Sequence, residues 1–133
     1  QTTMDPLPRP PQLTLHLLPG EFAVSRIDAW PTWLPTAGLV SVTRTEHEIS
    51  VVCETRFVPA EVLAETGFRA LEFQGPFAFG LSGILASVLN PLAEAGIGIF
   101  ALSTYNTDYV LVKLTDLPRV LLTLSKAGHE ILD

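Results

Sequence analysis

The second half of this chain carries its strongest pattern, in which two helical apolar stripes are separated by short apolar runs typical of strands. Leu117, Val120, Leu121 and Leu124 have the spacing i, i+3, i+4, i+7 of a buried helix face. Residues 84–92 carry a similar one-sided stripe. The pattern predicts strands at 68–74, 97–104, 109–114 and 129–132, with helices after the first and third strands.

The predicted order over residues 68–133 is strand, helix, strand, strand, helix, strand. This order is typical of a split βαβ unit with a ferredoxin-like fold, whose helices cover one face of a sheet. Ser82 and Thr115 are the expected helix caps, and Gly96 and Gly128 the expected helix ends. Pro91 falls inside the first helix, where it removes one backbone hydrogen bond. The sequence therefore predicts an α+β sandwich.

The first half is richer in strands than in helices. Its residue pattern predicts strands at 13–18 and 22–27, a hairpin of 39–45 and 49–54, and a short helix at 59–65 closed by Gly67. We interpret it as a trimmed, duplicated copy of the second half. The predicted domains are an extended Pro-rich arm at 1–11, a degenerate half at 12–66 and a complete βαββαβ unit at 67–133.

Composition excludes several classes of protein. A hydrophobic fraction of 47% with 17% charged residues is too apolar for a disordered chain. Eight basic and fourteen acidic residues give a net charge of −6, which phosphate backbones and anionic membranes repel. No apolar stretch is long enough for a membrane helix, and no secretory signal is visible. We expect a cytoplasmic protein that binds neither nucleic acid nor membranes.

The residues that commonly carry chemistry are few and scattered. Cys53 lies in an apolar run and is interpreted as a core residue, with a reactive thiol as the minor alternative. His16, His47 and His129 have no partners at metal-ligand spacing. Phosphate-binding glycine motifs and a nucleophile–base arrangement are absent. The sequence predicts no catalytic residues, no metal and no cofactor.

One helix start and one turn are the candidate binding elements. The N–H groups at Ser82, Gly83 and Ile84 suit a carboxylate, because a helix begins there. Asp108, which closes the turn after the second predicted strand, could accept hydrogen bonds from an ammonium group. We expect this turn at the far end of its strand, so that it reaches the helix start only from a neighbouring unit or through a bent strand. The alternative is a plain helix cap and a polar turn.

Two segments of the second half resemble ACT domains. Residues 91–99, PLAEAGIGI, and 103–112, STYNTDYVLV, look like small bacterial proteins built of two ACT-like halves. The same pattern is similar to CASTOR-type arginine sensors and, more distantly, to the regulatory region of aspartate kinases. The strong resemblance covers residues 66–130, and residues 22–27 and 41–53 resemble these proteins less distinctively.

The resemblance implies a regulatory, non-enzymatic module that binds a small amino acid or related metabolite between ACT units of a homodimer. A regulated protein partner is also implied. The implied ligand-binding residues lie on the helix-start loop and the turn: Leu81, Ser82, Gly83, Ile84, Thr104, Tyr105, Asn106 and Asp108. Leu81 stands where the arginine sensors carry an acidic residue, which removes a partner for a guanidinium group. The alternative function is a ligand-free protein–protein interaction module, for which Trp30 and Trp33 are candidate anchors.

Overall fold

A long central strand organises the fold. The computed structural model describes residues 11–77 and 82–133, so the predicted arm lies outside the described residues except for Pro11. The strands are β1 (Thr14–Leu17), β2 (Phe22–Ile27), β3 (Ser41–Arg44), β4 (Ile49–Glu54), β5 (Leu63–Phe73), β6 (Ile99–Ser103), β7 (Asp108–Lys113) and β8 (Glu130–Leu132). The helices are α1 (Ile84–Glu94) and α2 (Leu117–Lys126).

Strand β5 pairs with three other strands. On one side its first half pairs antiparallel with β2, and its last residues pair antiparallel with β1. On its other side β7 pairs antiparallel with residues Phe68 to Glu72, and β6 continues the sheet beyond β7. Strands β4 and β3 extend the sheet beyond β2, and β8 runs parallel to β1. The described strands therefore form one eight-stranded sheet.

Both helices cover one face of this sheet, so the predicted α+β class and the βαββαβ order of the second half are confirmed. Val88 and Leu92 of α1 and Leu124 of α2 are fully buried against β1, β5 and β7. The opposite face carries a smaller cluster centred on Phe22, Ala70 and Leu111. Burial of the apolar stripes is the main force that fixes the two layers.

The connectivity is less simple than two separate units. Strand β8 pairs with β1, which therefore lies between β5 and β8 in the sheet. Strand β5 also crosses the predicted boundary between residues 66 and 67. The division into 12–66 and 67–133, and the duplication of one unit, stay predictions.

Three local predictions are wrong. The predicted helix at 59–65 is a turn followed by β5, because residues from Leu63 pair with β2. Ser82 does not cap α1: the N-cap is Gly83, with φ +82° and no side-chain cap bond. The N-cap of α2 is Asp116 instead of Thr115, because a 3-10 turn at Leu114–Asp116 precedes that helix.

Cys53 is a core residue, as predicted. Its side chain is fully buried on β4. Burial, with a smaller contribution from the negative charge of Glu54, raises the pKa of the Cys53 thiol. A higher pKa lowers the thiolate fraction at neutral pH, which makes this cysteine a poor nucleophile.

Candidate functional site

The turn between β6 and β7 is fixed by hydrogen bonds to the end of β5. Within the turn, the Thr104 N–H donates to the Thr107 carbonyl at 2.8 Å. The Thr107 hydroxyl donates to the Phe73 carbonyl at 2.6 Å, and the Phe77 N–H donates to the Asn106 carbonyl at 2.9 Å. The turn therefore has a defined position beside the segment that follows β5.

This position corrects the predicted geometry. The turn was expected at the far end of its strand, away from the segment after the first strand of the unit. Strands β5 and β6 are both antiparallel to β7, so they run in the same direction and end at the same edge of the sheet. The turn contacts residues 73–77 of its own chain for that reason.

A polar cavity of about 370 Å³ lies between this turn and the end of β5. Its lining residues are His16, Glu72, Phe73, Gln74, Gly75, Pro76, Thr104, Asn106, Thr107 and Tyr109. This volume is at the lower end of the range found for small-molecule sites. The residues that line it include a carboxylate, an imidazole, two amides and three hydroxyls, which suit a small polar ligand.

A row of three polar side chains crosses the sheet beside the cavity. His16 on β1 is paired with Glu72 on β5, which is paired in turn with Tyr109 on β7. The His16 Nε2–H donates to Gln74 Oε1 at 2.8 Å, and the Tyr109 hydroxyl donates to Glu72 Oε2 at 2.5 Å. Directly paired residues point to the same face of a sheet, so the three side chains can contact one ligand.

The Glu72–Tyr109 pair also sets the charge of the site. Burial, the hydrogen bond to Glu72 and the negative charge of Glu72 raise the pKa of Tyr109 to about 12. Tyr109 is therefore a neutral donor at physiological pH. It orients the Glu72 carboxylate, whose charge favours a cationic group such as an ammonium.

The predicted helix-start residues lie elsewhere. Ser82 and Gly83 are exposed, while the side chain of Ile84 is buried in the main core and leaves only its backbone for a ligand. Leu81 lies outside the described residues. Gly83 lines a different cavity of about 520 Å³, along α1 as far as Glu94. Within one chain, the helix start and the turn therefore line separate cavities.

Two predicted turn residues have their own positions. The Asp108 carboxylate accepts a hydrogen bond from the Ser103 hydroxyl, which joins the two strands at the base of the turn. Tyr105 is 79% exposed at the tip. Thr104 and Asn106 are the predicted residues that line the polar cavity.

Four cavity residues were not predicted: His16, Glu72 and Tyr109 on the strands, and Gln74 directly after β5. His16 alternates with Leu13, Leu15 and Leu17, a pattern that puts it on the opposite face of the strand from the leucines. Nothing in the sequence indicates which strands flank β5, and that pairing is what brings these four residues together.

Residues 11–77 and 82–133 contain no group of three or more His, Cys, Asp or Glu side chains placed to hold a metal ion. Neither α1 nor α2 has the length and apolar character of a membrane span.

Two family models match separate parts of the chain. Residues 63–126 match the model for the ACT domain. Residues 20–61 match a second model, which describes an N-terminal domain. The first match begins at β5 and ends with α2, so it includes the turn and both helices.

Two curated relatives are similar to large parts of the chain. Human (Homo sapiens) CASTOR3P is 35% identical over 88 residues, which are 66% of this chain and 50% of the relative. The cytosolic arginine sensor for mTORC1 subunit 1 of Bos taurus is 29% identical over 139 residues, covering 86% of this chain and 42% of the relative. The chain therefore spans about half the length of the curated relatives it matches.

Solved structures share the fold. The crystal structure of protein Atu0741 from Agrobacterium tumefaciens has a TM-score of 0.86 and 41% identity, covering 92% of this chain and 93% of that chain. Aspartate kinase of Clostridium acetobutylicum has a TM-score of 0.61 at 11% identity, covering 81% of this chain and 32% of the kinase. Because residues 63–126 match the ACT-domain model, this part of the chain belongs to the ACT-domain family.

Proposed function

We propose that this chain is a non-catalytic regulatory module that binds a small amino acid, and that two copies hold the ligand between their ACT units. The family relationship supports a role in amino-acid sensing, since the bovine relative is named as an arginine sensor. That relative is also named as cytosolic, which supports the same location for this chain.

The polar cavity beside the turn is the observation that carries this proposal. Glu72 supplies a negative charge for the ligand ammonium, and Thr104 and Asn106 supply neutral polar contacts from the turn. The ligand carboxylate suits the first N–H groups of α1, at Gly83 and Ile84, where the helix dipole favours a negative charge.

The separation of these two elements favours a shared site. Gly83 and Asn106 line different cavities of one chain. We propose that a ligand which contacts a helix start and a turn together takes the two elements from different copies. The proposed site thus combines residues 81–84 of one chain with Thr104, Tyr105, Asn106 and Asp108 of the other.

A thermal-shift screen of the full chain against the twenty amino acids tests the proposal. A ligand at a hundredfold excess over its Kd stabilises the folded state by about 2.7 kcal/mol. We expect one amino acid, or a small group of related ones, to raise the melting temperature. A melting temperature that no amino acid changes at millimolar concentration would exclude the proposed function.

Asp108 and Ser103 form a matched pair for testing the turn. Because a hydrogen bond to a charged group contributes about 1.5–3 kcal/mol, Asp108→Ala should weaken amino-acid binding ten- to a hundredfold if Asp108 contacts the ligand. Ser103→Ala removes the same bond at the base of the turn and keeps the carboxylate. Calorimetric titration measures the Kd of each variant, and thermal unfolding measures its stability. If both variants are less stable than wild type but keep the wild-type Kd, Asp108 belongs to the turn alone.

A ligand-free interaction module is the second candidate, and exposed apolar side chains favour it. Trp30 is 58% exposed and Leu63 is 72% exposed, and both line an open cavity that also contains Trp33. Capture of a partner from native lysate separates the two functions. The sensor requires capture that changes when the amino acid is added, whereas the interaction module gives constant capture.

A further inference from the structure

A second cavity lies on the other side of the Glu72–Tyr109 pair, and its volume is about 480 Å³. It is lined by Leu18, Pro19, Phe22, Gly38, Leu39, Val40, Glu54, Glu72 and Tyr109. The lining comes from the β1–β2 connection, the segment before β3, the end of β4 and the central strands. The site proposed for the amino acid shares only Glu72 and Tyr109 with it.

Two carboxylates line this cavity, and each has one oxygen engaged. Glu54 Oε2 accepts a hydrogen bond from Arg56 at 3.2 Å, and Glu72 Oε2 accepts one from Tyr109. Glu54 Oε1 packs over the backbone of Gly20, where a Cβ atom would lie 2.5 Å away. The Glu54 side chain is only 24% exposed, so the close packing holds its carboxylate in place.

The two carboxylates in the lining have one cationic ion-pair partner between them. Glu54 and Glu72 carry two negative charges, while Arg56 supplies one positive charge from a side chain that is 71% exposed. A second cation, Arg69, donates to the carbonyl of the lining residue Leu18 at 3.1 Å, and no ion pair joins it to either carboxylate among the described residues. Because both carboxylates are partly shielded from water, their attraction for a cation is stronger than at an open surface.

The remaining walls are apolar. Phe22 belongs to the buried cluster on the face opposite the helices, and Leu18 and Leu39 pack against that cluster. We infer that this cavity binds a small organic monocation with an aliphatic body, such as a protonated alkylamine. Its ammonium group faces Glu54 and Glu72, and its alkyl chain lies against Leu18, Phe22 and Leu39.

Titration of the 15N-labelled full chain with 1-butylammonium chloride tests the inference by NMR. We expect saturable shifts at the backbone amides of Gly38, Leu39 and Val40. Uncharged 1-butanol is the matched ligand, and we expect it to bind at least tenfold more weakly. Equal binding of the alcohol, or shifts confined to other parts of the chain, would overturn the inference.

Glu54 lines this cavity and not the amino-acid cavity, which makes it the informative position. Glu54→Gln should raise the Kd for 1-butylammonium about tenfold or more. Glu65→Gln is the control, since Glu65 is an exposed carboxylate of β5 that is paired with Lys113. Wild-type Kd in the folded Glu54→Gln variant contradicts the inference.

Val40→Trp provides a second variant, because it fills the cavity without removing a carboxylate. We expect it to abolish 1-butylammonium binding, and retained binding also contradicts the inference. Both variants leave the turn and the helix start unchanged, so any amino-acid binding should keep its wild-type Kd. The failure of this inference and the failure of the proposed function are therefore separate results.

Discussion

At the scale of single residues, His129 links three elements through its imidazole ring. The Leu13 N–H donates to Nδ1 at 3.0 Å, so the proton lies on Nε2, which donates to the Ser87 carbonyl of α1 at 2.8 Å. The side chain is 5% exposed and immediately precedes β8. This neutral ring joins the start of β1, helix α1 and the last strand.

His129→Ala should lower the free energy of unfolding by about 3 kcal/mol, because it leaves a partly buried N–H and a buried carbonyl without partners. Urea unfolding measures the change. His47→Ala, at the exposed tip of the β3–β4 hairpin, is the control and should stay within about 0.5 kcal/mol of wild type. Equal stability of the two variants would mean that water replaces the hydrogen bonds of the His129 ring.

Tyr109 makes stability depend on pH in the alkaline range. Its pKa is about 12 in the folded chain, against the ordinary value of 10.0. Between these values the unfolded chain has lost a proton that the folded chain keeps. The contribution of Tyr109 to stability is therefore complete below about pH 10 and is lost as the pH rises through 12.

Ultraviolet titration of a Tyr105→Phe variant leaves Tyr109 as the remaining phenol and should give a midpoint near pH 12. Adding Glu72→Gln removes the charge that opposes phenolate formation, so the midpoint should fall toward 10 while the variant stays folded. An unchanged midpoint in the double variant would mean that burial alone raises the pKa of Tyr109.

At the scale of elements, β5 shows where local preference is overruled. Residues 59–65 contain Ala, Glu and Leu, which favour helices in isolation. Pairing of Leu63, Ala64 and Glu65 with β2 satisfies their backbone groups in the sheet instead. The two long helices were predictable because their apolar stripes match the faces they bury. The strand partners of β5 were not, because pairing depends on contacts between residues far apart in the chain.

Gly67 marks an irregular point in that pairing. Its φ is +79°, and its N–H donates to Glu21 Oε2 at 3.2 Å beside a register shift between β2 and β5. Gly67→Ala should cost about 1 kcal/mol from backbone strain alone, since a Cβ there meets no atom within 4 Å.

Gly98→Ala is the control for this substitution. A Cβ at Gly98 also meets no atom within 4 Å, but the backbone there does not have a positive φ. Thermal unfolding should therefore show a lower melting temperature only for Gly67→Ala. Equal melting temperatures would mean that the β2–β5 irregularity relaxes to accept a side chain.

At the scale of the whole molecule, one sheet joins parts of the chain that the sequence divides. The class and the order of elements in the second half follow from periodicity. The residue types predict a turn at 105–108, and the structure has it at 104–107, since Asp108 begins β7. The polar cavity could not be predicted from periodicity or residue types. His16 and Gln74 are 58 residues apart, and Glu72 and Tyr109 are 37 apart, so only the strand order brings them together.

The same sheet leaves surfaces that a second copy can cover. Among the described strands, β3, β6 and β8 each pair on one side only. Ile99 on β6 is 37% exposed and Leu132 on β8 is 40% exposed. Open strand edges with few charges favour pairing between chains. We therefore expect a homodimer, and the proposed amino-acid site requires one.

Sedimentation equilibrium should show a dimer of this 14.4 kDa chain at micromolar concentration. If two copies share the ligand, the amino acid found by thermal shift binds the dimer better than the monomer and must lower the dimer Kd by the same factor. Ile99→Lys and Leu132→Lys each place a charge on one open edge, and the variant that raises the dimer Kd identifies the edge used. A 14.4 kDa species with and without ligand would contradict the dimer, and a dimer Kd that the ligand leaves unchanged would place the ligand within one chain.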